Sequence, residues 1–213
     1  MATTPAPANP TAATKVAAPQ RPIGALVVVG LGNPGPDYAR TRHNAGFWFA
    51  DALVVQEHAS FKVEPKFFGE VARLKLQGID VHVLKPSTFM NKSGQAVQAL
   101  CSFYKIAPVD VLVAHDELDI GAGAMRLKIG GGHGGHNGLR DIHKHLGEGY
   151  RRLRVGIGHP GDKNPVPCHL LGPPSKADEE LIQSGIQQAL DALPVWLSHS
   201  WDKALQQLHS KQP

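Results

Sequence analysis

Several things are scarce in this chain, and each scarcity excludes a class of protein. Only two of its 213 residues are cysteines, Cys101 and Cys168, in no C-x-x-C pattern. That excludes a disulfide framework and fits a reducing compartment. No apolar run approaches the roughly 20 residues that span a bilayer, so no membrane partner is expected. The first 22 residues, MATTPAPANPTAATKVAAPQRP, contain no aromatic and no acidic residue. Such a stretch cannot bury enough surface to offset its ordering entropy, so residues 1–22 read as a disordered extension. Organelle transit peptides also lack acids, but this tail has one Lys, one Arg and no Ser, and no apolar centre like that of a secretory signal. A cytoplasmic protein is expected.

Residues 23–213 are enough for one sizeable core and one domain. The net charge is only +4, but between Arg126 and Arg154 there are seven basic residues and two acidic ones. A surplus concentrated in this way suits a polyanion such as nucleic acid, although a solvated, salt-bridged face would read the same.

From Ile23 onward strand and helix patterns alternate. The β-branched run ALVVV (25–29) predicts a buried strand. A helix follows from Asn44, the candidate N-cap, to about His58. FGEVARLKL and IDVHVL, separated by Gln77-Gly78, read as a β-hairpin. Ala96, Val97, Leu100, Phe103 and Tyr104 lie at helical spacing within 91–104. DVLVAHDEL and GAMRLKIG read as strands, Asn137 to about His145 as a helix, and RLRVGIG as a strand. Two helices, broken near Pro194, close the chain. The fold class expected is α/β, a single domain with a mixed, twisted β-sheet surrounded by helices.

Gly30-Leu31-Gly32-Asn33-Pro34-Gly35 has the G-x-G-x-x-G form of a dinucleotide-binding loop, but its context is wrong. The helix of such a site starts within the glycines, and an acid closes the next strand about 20 residues on. Here Pro34 and Pro36 interrupt the place of that helix, and Asp51 falls inside a later one. What remains is a strand end that presents Asn33. Other strand ends deliver Asp116, then Met90 with Asn91, and Asn137. Polar residues gathered at the carboxyl ends of strands are distributed like a ligand site, though an Asn taken singly is more often a cap or turn residue.

Five stretches, VVVGLGNPGPDYARTRHNAGFWFAD, VLKPSTFMNKSG, VAHDELD, GGGHGGHNGLRDI and RLRVGIGHPGDK, together resemble the bacterial-type peptidyl-tRNA hydrolase family over about residues 25–210. The resemblance implies a metal-independent, cofactor-free hydrolase that cleaves the ester between a peptide and the terminal ribose of tRNA. It implies a catalytic set of His43, Asp116, Asn33 and Asn91. His43 is the candidate general base, since imidazole titrates near neutral pH. Asp116 would orient it and stabilise the imidazolium, as in the His–Asp part of a serine-protease triad with water in place of serine. Asn33 and Asn91 would hold the peptide carbonyl and the water, with the oxyanion contact assigned to Asn91. Asn137 would anchor the water or the peptide backbone.

For substrate binding, Phe89 and Met90 are candidates for an adaptable apolar floor, and Tyr38 matches a family position near the histidine. Lys128 and Arg154 match the family's clamp for the tRNA 5′ phosphate, beside the acceptor stem and 3′ end, with Arg140 and Lys144 as further backbone contacts. Residues 159–174, rich in turn formers, suggest a lid. No obligate protein partner is expected, and the protein reads as a monomer. Three rivals stand beside this reading. His133/His136 and His143/His145 form a loose metal-like pattern without a thiolate or H-E-x-x-H spacing. A chloroplast relative of the family is a group II intron splicing factor with the same fold, and a non-catalytic tRNA-binding module is the third.

Overall fold

The computed structural model describes residues 24–161 and 165–210, so the predicted disordered extension lies outside the described residues. Seven strands form one sheet in the order β2-β3-β4-β1-β5-β7-β6. They are β1 (Leu26–Gly30), β2 (Lys62–Glu64), β3 (Gly69–Leu76), β4 (Ile79–Pro86), β5 (Val111–Glu117), β6 (Met125–Ile129) and β7 (Arg151–Gly156). The central four, β4-β1-β5-β7, are parallel, while β2, β3 and β6 run antiparallel at the edges. The helices are α1 (Ala45–Gln56), α2 (Ser93–Tyr104), α3 (Asn137–Leu146), α4 (Val166–Leu170), α5 (Lys176–Ser198) and α6 (Trp201–Ser210). This is the expected single α/β domain with a mixed sheet.

Two apolar layers explain why the first strand is continuously hydrophobic rather than alternating. Leu26 and Val28 pack with α1, α5 and α6 on one face, while Val27 and Val29 pack with α2 and α3 on the other. The predicted hairpin forms with Gln77 (φ 51°) and Gly78 (φ 79°) as its two turn residues. Positive φ at both positions makes a twist that matches the flanking strands. The break expected near Pro194 is not there. α5 runs through Pro194 to Ser198 because its buried stripe continues beyond the proline with Trp196 and Leu197. Trp196 meets Trp201 edge-on at 5.1 Å, and the Arg151 guanidinium lies 4.9 Å from its ring centroid. The helix ends at His199 instead.

The G-x-G-x-x-G run serves packing. A Cβ on Gly30 would collide with Gly46 O and Ala50, and one on Gly32 would enter the Phe47 ring. Gly35, at φ 102°, makes the turn. The helix that follows begins only at Ala45, so it does not start within the glycine run as a dinucleotide site requires. Gly46 carries the tightest part of this contact. Its Cα faces Ala114 O and Leu31 N, with no room for a methyl group. Gly46→Ala is expected to destabilise the protein by about 1–3 kcal/mol through overpacking. It should also reduce activity at temperatures where the fold persists, because α1 would move off β5. Thermal unfolding together with turnover checks this.

Candidate active site

The carboxyl ends of β1, β4 and β5 open onto one crevice, since β1 leads to a partner on one side of itself and its other neighbour is reached from β4 through α2. Asn33 follows β1, Met90 and Asn91 follow β4, and Asp116 lies at the end of β5. His43 sits in a 3-10 turn, Arg42–Asn44, that leads directly into α1. Asn137 opens α3.

His43 Nδ1 stands 3.0 Å from both carboxylate oxygens of Asp116, and both residues are buried. Nδ1–H therefore donates to the carboxylate, which leaves Nε2 as the basic nitrogen. Burial opposes a charge on the ring, but the Asp116 carboxylate and its hydrogen bond outweigh it, so the His43 pKa is raised above 6.5. For Asp116, burial favours the protonated form, yet the facing His136 and His43 rings hold its pKa well below the carboxylate range. Next to it, His115 is fully buried. Burial pushes its pKa down to about 3, so it is neutral.

Asn44 occupies the expected N-cap position, but its side chain does not cap the helix. It clasps the β1 loop instead: its Oδ1 accepts from Asn33 N–H at 2.8 Å and its Nδ2 donates to Asn33 O at 2.9 Å. Both ends of this amide are used by one residue across the crevice, a geometry that sequence spacing does not reveal. Asn33 Oδ1 accepts in turn from Met90 N–H at 2.8 Å. Its carbonyl is thereby engaged, and its NH2 is left as the donor group. Met90 is buried and Phe89 is exposed, with Tyr38 meeting Phe89 edge-on at 6.2 Å.

A cavity of about 600 Å³ is lined by Asn33, His43, Phe89, Met90, Asn91 and Asn137, with Leu170 and Leu171 across from them. A second, of about 200 Å³, lies beyond His43 and Asp116 and is lined by His115, Glu117, His133 and His136. Asn137 and Leu170 border both. The larger cavity therefore gathers the three predicted asparagines, the predicted base and the predicted apolar pair.

Lys128 and Arg154 are not in it. Lys128 lies opposite Arg152 in the β6–β7 ladder, and Arg154 is two residues along β7 from Arg152, so both extend from one sheet face. Lys128 is exposed, while Arg154 donates through Nε to Glu117 Oε2 at 2.9 Å. The basic surface is smaller than the residue count implied, because Arg151 and Arg152 are buried. Arg151 packs under Trp196 and Trp201, and Arg152 donates to Gly131 O, to Gly132 O and toward His143 Nε2. Arg140 and Lys144 are exposed on α3, with Arg140 Nη1 3.2 Å from Asn137 Oδ1.

The stretch read as a lid contributes α4, whose Val166 and Leu170 line the cavities. Arg42, next to the candidate base and not singled out from the sequence, ties this stretch down. Its backbone N–H donates to Gly172 O at 3.1 Å and its Nη1 to Pro173 O at 2.7 Å. The four histidines suspected of metal binding face different partners: His133 and His143 have ring centroids 5.8 Å apart, but His136 faces Asp116 and His145 Nδ1 bonds Asp141 O. Among the described residues one group has metal-ligand spacing, His43, Asp116 and His136.

The family model for peptidyl-tRNA hydrolase matches residues 27–213. The chain belongs to the peptidyl-tRNA hydrolase family. It is 56% identical over 186 residues to a peptidyl-tRNA hydrolase of Neisseria meningitidis serogroup C, covering 87% of this chain and 97% of that one. A Sodalis glossinidius peptidyl-tRNA hydrolase is 51% identical over 189 residues, covering 88% and 97%. The crystal structure of peptidyl-tRNA hydrolase from Acinetobacter baumannii superposes with a TM-score of 0.83 at 48% identity, covering 86% and 94%. The activity is that of a carboxylic ester hydrolase that releases tRNA from peptidyl-tRNA, and the binding-protein readings give way to it. No helix of the described residues of this hydrolase is long and apolar enough to cross a membrane.

Proposed function

We propose that His43 Nε2 takes a proton from the attacking water while Asp116 holds Nδ1 and stabilises the imidazolium. The observation that carries this is the 3.0 Å bond from Nδ1 to a buried, ionised carboxylate beside a 600 Å³ cavity. It is the arrangement of a general base with its orienting group. The peptide lies along that cavity over Met90, with Phe89 and Tyr38 at the rim. Asn91 and the Asn33 NH2 donate to the carbonyl oxygen as it gains charge. Asn137 holds the water or the peptide backbone. The enzyme acts as a cytoplasmic monomer, without metal or cofactor, and recycles tRNA from stalled peptides.

Metal-free action is supported by the hydrogen bonds of the one candidate cluster. His136 Nδ1 accepts from the N–H groups of Gly138 and Leu139, at 3.1 and 3.3 Å, so its proton sits on Nε2, the atom that would have to ligate an ion. Release of a labelled N-blocked aminoacyl group from its tRNA, in excess chelator, tests the whole reading. Undiminished turnover is the expected result, and loss restored by a divalent cation would overturn the metal-free mechanism.

Lys128 and Arg154 clamp the tRNA 5′ phosphate. Lys128→Ala is expected to raise KM for 5′-phosphorylated substrate about tenfold, the weight of one charge-assisted hydrogen bond. It should also lower the slope of log KM against log salt by about one. Arg154→Ala should do less, because a phosphate has to compete with Glu117 for that guanidinium. KM measured with and without the 5′ phosphate, across a salt series, checks both.

A further inference from the structure

His136 has no part in the mechanism above, yet it is bound at both ends. Its Nδ1 accepts from the first free N–H groups of α3, making it the N-cap of that helix. Histidine is an unusual cap, since Ser, Thr, Asp or Asn does this work at lower cost in size. With Nδ1 an acceptor, the ring is neutral and its proton sits on Nε2, which stands 2.9 Å from Asp116 Oδ1. The same Oδ1 accepts from His43 at 3.0 Å. The start of α3 beside His136 is closely packed, because a Cβ on Gly138 would run into Met90 Sδ and Leu31. A shorter cap would leave the buried carboxylate with one donor fewer.

We infer that His136 is a positioning residue of the hydrolase: its locked Nε2–H tautomer donates to Asp116 and so sets the geometry and basicity of the His43–Asp116 pair. Its effect on the pair has two parts. One is orientation, since a second donor on Oδ1 holds the carboxylate where both oxygens lie 3.0 Å from His43 Nδ1. The other is electrostatic, since a neutral donor shares the carboxylate charge and tempers the proton affinity it confers on His43. The other titratable or charged groups facing this ring are His115, with ring centroids 5.1 Å apart, and Glu117 and His133 across the smaller cavity, while Arg152 approaches His115 from β7. His43 itself lies 5.1 Å from the ring. The inference rests on the general-base reading of His43, and the experiment separates the two.

His136→Asn keeps a capping acceptor but is too short to reach Asp116, whereas His136→Gln keeps a donor of similar reach and gives up the cap. The expected result for His136→Asn is unchanged thermal stability and KM, with kcat lowered about tenfold, one charge-assisted hydrogen bond expressed as a rate. The acid limb of its pH–kcat profile should move to higher pH, because a carboxylate with one donor fewer holds the His43 proton more tightly. His136→Gln should recover most of kcat and the wild-type limb while losing stability. In a His43→Ala background, His136→Asn should cost nothing further. The inference is overturned if His136→Asn leaves kcat and the acid limb unchanged, or if its cost persists in the His43→Ala background. It is also overturned if Gln fails to restore a rate lost in Asn. An active His43→Ala enzyme would instead overturn the general-base reading itself.

Discussion

His43→Ala is expected to lower kcat by about 10²–10⁴-fold, the range a positioned general base contributes, while tRNA affinity stays within about twofold of wild type. The side chain lines both cavities and, among the described residues, makes its side-chain hydrogen bonds with Asp116, whereas the proposed phosphate contacts stand away from it on β6 and β7. Binding and chemistry should therefore separate cleanly in single-turnover release and filter binding. In wild type the acid limb of the kcat profile should lie above pH 6.5, since Asp116 raises the His43 pKa despite burial and the base must be deprotonated to act. A folded His43→Ala protein that keeps most of its turnover at saturating substrate would refute the role.

Asp116→Asn should be nearly as damaging, with kcat down about 10²–10⁴-fold, for a reason written in its two donors. His43 Nδ1–H and His136 Nε2–H both point at this carboxylate. An amide keeps the oxygen at Oδ1 that both rings share, but it puts an NH2 in place of Oδ2, 3.0 Å from His43 Nδ1, where a donor opposes the Nδ1–H. The His136 tautomer is held by the α3 backbone. His43 is therefore the ring that must turn over to its Nε2–H form, and that form carries a proton on the atom meant to receive one. The residual activity should also titrate differently. Without the carboxylate, desolvation alone acts on His43, so its pKa drops below 6.5 and the acid limb moves to lower pH. Measured kcat and its pH profile decide the point. An Asn variant that kept the wild-type limb would show that Asp116 does not set the base.

The Asp116 and His136 substitutions probe different parts of one device and predict opposite movements of the acid limb. Removing the carboxylate lowers the limb, while removing a donor to the carboxylate raises it. A shared structural collapse would move neither in a defined direction.

Much of this was legible along the chain. The strands, the Gln77-Gly78 hairpin and the helices after Asn44, Asn91 and Asn137 follow from apolar period and turn chemistry, which are local. The five motifs were enough to point to the family and to Asn33, His43, Asn91, Asp116 and Asn137 as site candidates. Where local signals misled, a packed neighbour had the stronger claim. Pro194 marked a helix end, but the tryptophan cluster beyond it keeps α5 intact. Arg151 and Arg152 counted as surface charge, yet aromatic faces and loop carbonyls bury them. Asn44 had the position of a cap and spends its amide on Asn33 instead.

The sequence by itself therefore determined the α/β class, the family and the inventory of side chains able to do the chemistry, because those depend on residue type and on spacings within one element. Only the tertiary structure decided which atoms meet: which ring nitrogen of His43 faces Asp116, that Asn33 Oδ1 is engaged by Met90 N–H, that Arg42 ties the chain after α4 beside His43, and that His136 also bonds Asp116. The His43–Asp116 bond joins residues 73 positions apart and the His136–Asp116 bond joins residues 20 apart. A hydrogen bond of that kind is set by how the sheet and helices pack, and no periodicity along the chain encodes its direction.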